Sequence, residues 1–556
     1  MSKASLELGG GNWAAKDGNL LGYAVGDTSG KYLPREFTFS RGADIAATRV
    51  NKDGLIEKYR ENLLLHSNTF SNAVWAGAST TETGGQSGYD GTNNAWLLEK
   101  LVANGNIEQS VSASNLLTYS VYAKAGTKDW LRLNIVGLAN AYFDLANGVV
   151  GSTGGAPAIT SAMVNAGGGW WRCSFTYQNS STTGVSIYVA DADNDSSGTS
   201  GNIYIQDAQL EYGLVATDYI ESGSSTGKAG VLDNLPRIDY TSGNAQLLME
   251  PSRTNKLTHS EYFGDWSSSG VNLDLGYEAP DGTNSAYKIS ITGGSSERYL
   301  YKSGSVLSTD SRSIWAKTVS GTGTVNLLTY YENTNNLFTI TNDWQRFEIS
   351  SVTTSTGDTN FYAVDFRGDS TLTEVLIWGA QAETGSYATS YIPTYGAQDT
   401  RNADTCTTTS SNLISSQLFS MFFEHTPTGG GFSGSTPAFE LNIQGTSDNV
   451  SFYVNNSGID DGLNIYLGPT NGGYIWGTGT NDGWTVNQKS KVALTYDGDN
   501  LRYFINGVLH NSQTGVSFTD ADTSLYITHA KGNKLEQALV FPTALTDQEA
   551  IALTTL

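Results

Sequence analysis

The chain has 556 residues and a net charge of −23, with 54 Asp and Glu against 31 Lys and Arg. A surface this acidic repels nucleic-acid phosphates and anionic membrane faces, whose binders need basic residues. No apolar run approaches the roughly 20 residues that span a bilayer. With 63 Gly, 11% aromatic residues and no long charge block, the chain is expected to fold rather than remain disordered. Its length suits about three or four domains of roughly 150 residues each.

In chain order, residues 1–60 are Gly-rich and lack the strands of a full domain. The start, Met1-Ser-Lys-Ala-Ser-Leu, has no apolar signal-peptide core, so cytoplasmic synthesis is expected. Residues 61–222 alternate apolar and polar side chains in short runs, at 119–123, 131–136, 185–189 and 203–205, with Gly, Asn, Asp and Ser clusters between them. Such spacing predicts β-sandwiches. The stretch 222–230 reads as an exposed joint. Residues 223–395, with a lead-in strand, form a second module, and residues 396–556 a third region. In that third region, Asp497-Gly and Asn506-Gly507 stand between alternating apolar residues and predict two hairpins. The expected helix is at the end, where Thr546 and Glu549 have capping-box spacing. Cys173 and Cys406 fall in different modules, so no disulfide framework is expected.

The first two modules are copies of each other. Glu57, Arg60, Asn62 and His66 return as Glu250, Arg253, Asn255 and His259, all at one offset of 193 residues. Phe70 and Phe263 keep that offset, as do Tyr122-Ala-Lys124 and Trp315-Ala-Lys317. Further on the offset falls to 172, where Ala208-Gln209-Leu-Glu211 matches Ala380-Gln381-Ala-Glu383 and Thr217-Asp-Tyr-Ile220 matches Thr389-Ser-Tyr-Ile392. A shorter loop is therefore expected in the second copy. Trp75, Trp266, Trp171 and Trp344 recur at equivalent or nearly equivalent places, and recurrence in two copies points to core.

Each copy also carries Asp-Gly-Thr-Asn (90–93, 281–284) and a Trp-x-Arg type strand (Trp170-Trp171-Arg172, Trp344-Gln-Arg346). In this combination the copies resemble the carbohydrate-binding-module-like jelly rolls of bacteriophage virion proteins. Residues 39–54 are similar to the lead-in of such proteins, so the resemblance covers about residues 35–400. Residues 491–508, with the ending 538–549, resemble a concanavalin A-like or laminin-G-like domain. The expected fold class is therefore all-β: tandem jelly rolls followed by a concanavalin A-like sandwich. The resemblance implies a virion appendage, a tail or capsid fibre, made in the host cytoplasm and acting outside the cell. It would be anchored to other virion proteins by residues 1–60, would bind host-surface glycans, and would form a homotrimer.

The candidate glycan residues are Tyr474, Trp476, Asn481, Asp482 and Trp484, closely spaced aromatics and amides in a Gly-rich loop. The competing reading packs alternate aromatics into the core or an oligomer interface. Asp191, Asp193 and Asp195 suggest calcium, which takes clustered carboxylate oxygens. Their loop departs from the EF-hand pattern, with Gly two positions late and no Glu at the twelfth, so a solvated loop is favoured. No His-Glu-x-x-His, nucleophile elbow or phosphate loop is present, and no enzyme is expected. The rival functions are a purely structural capsid or baseplate protein and, behind it, a glycan hydrolase.

Overall fold

The computed structural model describes residues 3–25, 32–42, 46–155, 158–293, 296–304, 310–329, 336–350, 360–408, 418–428, 442–444, 449–455, 462–467, 473–475, 485, 487–517, 525–527 and 532–556. The fold is all-β, in three sandwiches, the strands of the third closing into one continuous hydrogen-bonded sheet, with one α-helix among the described residues.

In the first sandwich two long strands, Asn106–Ala125 and Trp170–Ala190, pair antiparallel and serve both layers. Register shifts around Ala113 bend the pair, and Asn115 takes a positive φ of 76° there. Asn and Asp tolerate that region better than most residues. Before the bend, Asn106–Ala125 pairs with Trp75–Ala78; after it, with Gly201–Tyr212. The apolar faces, including Ile107, Val121, Leu133, Phe175 and Ile187, meet in one core.

The second sandwich repeats this plan with each long strand split in two. Tyr299–Lys302 and Asp310–Lys317 replace the first, and Gln345–Ile349 and Phe361–Asp365 the second. They lie in two five-stranded sheets. The shortened offset is more than a trimmed loop. The first copy has strands Val149–Gly155 and Thr160–Gly167 before its Trp-x-Arg strand, whereas the second runs from Leu337–Ile340 to Gln345–Ile349 through residues 341–344.

The repeated motif residues clasp the entry of each sandwich to its exit. Asn62 donates to the carbonyls of Ala208 (3.0 Å) and Ile220 (2.9 Å) and accepts from the amides of Leu64 and Leu210, both at 3.2 Å. Asn255 does the same with Ala380 (3.2 Å), Ile392 (2.9 Å), Leu257 (3.2 Å) and Ala382 (3.1 Å). Gln209 and Gln381 each accept from the Ile220 or Ile392 amide at 2.7 Å and donate to Glu211 or Glu383. The Trp75 and Trp266 indoles donate to the carbonyls of His66 and His259, both at 3.0 Å. Buried polar groups need such partners, which is why these residue types recur together.

Within residues 1–60, two strands join the C-terminal region. Leu6–Gly9 pairs with the last strand, Asn533–Phe541 (Leu6↔Val540), and Tyr32–Ser40 pairs with Thr405–Thr408 (Phe39↔Cys406). Gln246–Met249 also joins Asn533–Phe541. The third sandwich is thus assembled from three distant pieces of chain. Leu20, Phe37 and Phe39 share its core with Leu247, Met421, Phe423, Leu494 and Val540. The predicted hairpin at Asn506-Gly507 forms, with φ of 48° and 83°. The capping box on helix Asp547–Thr554 is also made. Cys173 and Cys406 are free and buried.

A buried ionic junction ties these pieces together. Arg237 bonds Glu250 at 2.7 Å and also contacts Asp404; Arg41 reaches Asp404 at 3.3 Å; Arg401 reaches Glu250 at 3.2 Å. All five side chains are 0–3% exposed. Burial pushes the Glu250 carboxyl pKa up, but Arg401 and Arg237 together hold it well below the usual carboxylate range. A second contact joins the first two sandwiches: Lys58 Nζ lies 3.0 Å from Glu261 and 2.7 Å from Asp281. Leu116 and Leu214 of the first sandwich pack into the core of the second.

Two predictions follow from the assembly. A fragment of residues 396–556 will lack the strands that complete its core, and circular dichroism will show no cooperative melt; fusing residues 1–42 and 232–250 to it will restore one. For Glu250 the folded pKa lies below the unfolded one, so its stabilisation is full above the ordinary carboxylate range near pH 4.3 and fades as pH falls below it. Urea titrations will show that loss between about pH 4.5 and 2. Glu250→Gln will remove this pH dependence and cost about 3–5 kcal/mol at neutral pH, as for a broken buried pair.

Candidate functional site

The Tyr/Trp-Ala-Lys strand and the Trp-x-Arg strand lie side by side in both copies, so an aromatic ring faces an arginine across the register. Tyr122 pairs with Arg172, and Trp315 with Arg346. The Arg172 guanidinium lies 5.4 Å from the Tyr122 ring centre, and that of Arg346 lies 4.7 Å from Trp315. Both pairs stand on the sheet face turned away from the sandwich core, and both line a concavity.

In the second copy the concavity is a cleft of about 520 Å³ between the second sandwich, the segment 48–56 and the third sandwich. Trp315 and Trp344 give it two half-buried indoles. Behind them Trp378 is fully buried, 5.5 Å from Trp315, and Tyr391 packs 5.4 Å from Trp315. Lys317 Nζ stands 5.1 Å over Trp344, whose indole N–H donates to the Glu278 carbonyl at 3.2 Å. Glu348, paired with Arg346 at 3.1 Å, and Asn487 supply polar groups at the lining.

In the first copy the concavity is a groove of about 910 Å³, bounded by the strand that holds Lys58 and Arg60 and by residues 281–284 of the second copy. Strand Thr160–Gly167, which has no counterpart in the second copy among the described residues, walls one side with Thr160, Ala162 and Val164. Tyr89 stacks on Tyr122 at 3.8 Å and 6°, and its hydroxyl donates to Asp207 at 2.8 Å. Burial pushes the Asp207 carboxyl up to about 6.

The residues singled out from sequence fare differently. Tyr474 lies on strand Gly473–Ile475, paired with Tyr466; Trp476, Asn481, Asp482 and Trp484 lie outside the described residues. The calcium candidates do not converge. Asp191 is gripped by Lys100 at 2.5 Å and Lys128 at 2.6 Å, Asp193 accepts from Ser152 at 2.7 Å, and Asp195 accepts from the Ser197 amide at 2.8 Å. Among the described residues no group of three His, Cys, Asp or Glu side chains is placed to hold a metal. Trp75 and Trp266 are core, as expected, at 4% and 6% exposure. Trp344 is half-buried: it packs against the small core of Ile56, Trp378 and Tyr391 and also lines the cleft, next to strand Gln345–Ile349 at the sheet edge. In the sequence Tyr122, Trp315, Arg172 and Arg346 stand out only as repeat markers; that they pair across adjacent strands is visible only in the fold.

The fold and these concavities define a tandem β-sandwich protein with surface clefts. No protein-family model matches the chain, and no curated protein matches it. Among solved structures it is similar to domain 4 of an extracellular GH43 arabinanase from Geobacillus stearothermophilus in complex with arabinotriose, at 18% identity and TM-score 0.23, over 28% of this chain and 73% of that one. It is also similar to the tandem CBM22 domains of a Paenibacillus barcinonensis protein, at 12% identity and TM-score 0.21, over 62% and 99%. A third similar structure is the CBM40 of a Ruminococcus gnavus sialidase bound to α2,3-sialyllactose, at 18% identity and TM-score 0.20, over 25% and 83%.

The clasp that shapes these faces is testable. Asn255→Ala removes two donors and one shared acceptor from buried backbone groups, and each orphaned group costs about 1–3 kcal/mol. Urea unfolding will show a loss of about 3 kcal/mol or more, and Asn62→Ala will show a similar loss.

Proposed function

We propose that this protein binds glycans without turning them over, and that the cleft at Trp315, Trp344 and Arg346 is a sugar site. The observation that carries the reading is the pair of half-buried indoles in a concave cleft with charged and amide groups at its lining. Indole rings pack against the apolar C–H faces of pyranose rings, while carboxylate, guanidinium and amide groups bond the hydroxyls. Concave, mostly apolar sites with few placed polar groups are the usual form of small-ligand pockets.

In its finer form the proposal places the chain on a bacteriophage particle, as a tail or capsid fibre that adsorbs to host-surface glycans. The support is the residue pattern at 39–54 and in the two copies. Attachment to the particle would then run through a folded face, since Leu6–Gly9 and Tyr32–Ser40 pair into the third sandwich. A trimer would multiply weak sites. A structural role in the particle is the second reading, favoured by the buried junctions that lock the sandwiches into one block.

The test is retention of the intact chain on a glycan array and on host cells. Trp344→Ala is the variant to use, since Trp315 also packs on the buried Trp378. Its loss will weaken binding by roughly tenfold or more, as for an aromatic hot spot, with an unchanged melting temperature. Equal retention by Trp344→Ala, or none by the intact chain, overturns this assignment of the cleft.

A further inference from the structure

The two copies place arginines at two equivalent positions, Arg60 and Arg253 on the entry strand and Arg172 and Arg346 on the Trp-x-Arg strand. In the second copy both have carboxylates. Arg346 pairs with Glu348 at 3.1 Å, and Arg253 lies 3.8 Å from Glu383 and 5.3 Å from the Tyr387 ring. In the first copy neither has one within ion-pair distance among the described residues. Arg172 donates to the Ser120 hydroxyl at 3.2 Å, and its buried Nε has no partner. Arg60 sits half-buried with no side-chain partner among the described residues.

Both arginines line the same groove of about 910 Å³. The acids near them are otherwise engaged: Glu57 is held by Arg49 at 2.7 Å and Asp281 by Lys58 at 2.7 Å. Glu211, which Arg172 influences at longer range, is buried and accepts from Thr217. Asp218 is the remaining acid at the groove, and it is exposed. In a chain of net charge −23, two guanidinium groups with no carboxylate at ion-pair distance among the described residues line one groove, beside Glu57, Asp218 and Asp281. Guanidinium N–H groups match a planar carboxylate in a two-pronged geometry. The stacked Tyr89–Tyr122 pair and Val164, 61% exposed, offer apolar surface beside them.

From this geometry we infer that the groove between the first and second sandwiches is a second glycan site, selective for carboxylate-bearing sugars, with Arg60 and Arg172 receiving the carboxylate. It rests on the glycan-binding reading above but uses a different concavity and a different ligand chemistry. The strand Thr160–Gly167, which has no counterpart in the second copy among the described residues, is part of the wall, so the two copies would offer different sites.

The experiment is an array of oligosaccharides ending in uronic or sialic acid, each beside its carboxyl-reduced neutral form and a sulfated neutral counterpart. It is probed with the intact chain, Arg60→Met and Trp344→Ala. The Arg60 side chain has no hydrogen bond or ion pair among the described residues, so Arg60→Met is expected to keep the fold, checked by an unchanged melting temperature; Arg172→Lys, which keeps the charge and loses the fork, is the second variant. The expected result is retention of an acidic glycan that falls roughly tenfold or more on carboxyl reduction and in Arg60→Met, with a smaller loss in Arg172→Lys. Equal retention of acidic and reduced forms, preference for the sulfated form, or full retention by Arg60→Met overturns the inference. Retention that is lost in Trp344→Ala and kept in Arg60→Met overturns the groove while upholding the cleft. No retention of any glycan overturns both.

Discussion

Five charged side chains buried at one point, Arg41, Arg237, Arg401, Glu250 and Asp404, set the positions of everything else in this protein. Each charge taken out of water must find a partner of opposite sign, because an isolated buried ion costs several kcal/mol. The five come from the entry segment, the connection between the copies and the start of the third region. Satisfying them brings those three pieces of chain to one place, in one geometry. Hydrophobic packing alone would tolerate small slips between sandwiches; paired buried charges tolerate far fewer.

The junction also explains why the molecule is not a string of independent beads. Leu6–Gly9 and the end of Tyr32–Ser40 hydrogen-bond to strands more than 350 positions away, and strand Gln246–Met249 adds to the same final strand as Leu6–Gly9. The first two sandwiches are inserted into the third. Lys58 reinforces this arrangement from the other side. Burial disfavours its ammonium group, yet Asp281 and Glu261 hold its pKa well above the ordinary lysine value. The clefts owe their shape to these contacts, since each is walled by more than one unit. A site formed between rigid blocks keeps its shape without its ligand, which reduces the ordering cost of binding.

Duplication supplies an internal comparison. The clasp built on Asn62 and Asn255, with its glutamine, glutamate and hydroxyl partners, is nearly superimposable bond for bond. Away from the clasp the copies have changed in ways that matter for ligands. Among the described residues, one has two extra strands and two arginines without a carboxylate at ion-pair distance; the other has neither strand, pairs its arginines and carries tryptophan where the first has tyrosine. Scaffold residues are held by buried hydrogen bonds to the backbone. Groove residues face solvent and are free to vary.

The sequence by itself determined the all-β class, the duplication, the closing hairpin at Asn506-Gly507 and the capped terminal helix. Each of these rests on local physics: alternation with a period of two, a turn needing positive φ, and a cap spaced over one helical turn. It also carried the clasp, as motifs whose recurrence is visible without coordinates. Only the tertiary structure decided that residues 6–40 complete the third sandwich, that Trp344 belongs to a cleft, and that Arg60 and Arg172 share a groove while their counterparts are neutralised. Strand partners hundreds of residues apart leave no local trace, because β-pairing is set by which edges meet after the chain has collapsed. Whether an arginine has a carboxylate beside it depends in the same way on neighbours that only the packed sandwiches bring together.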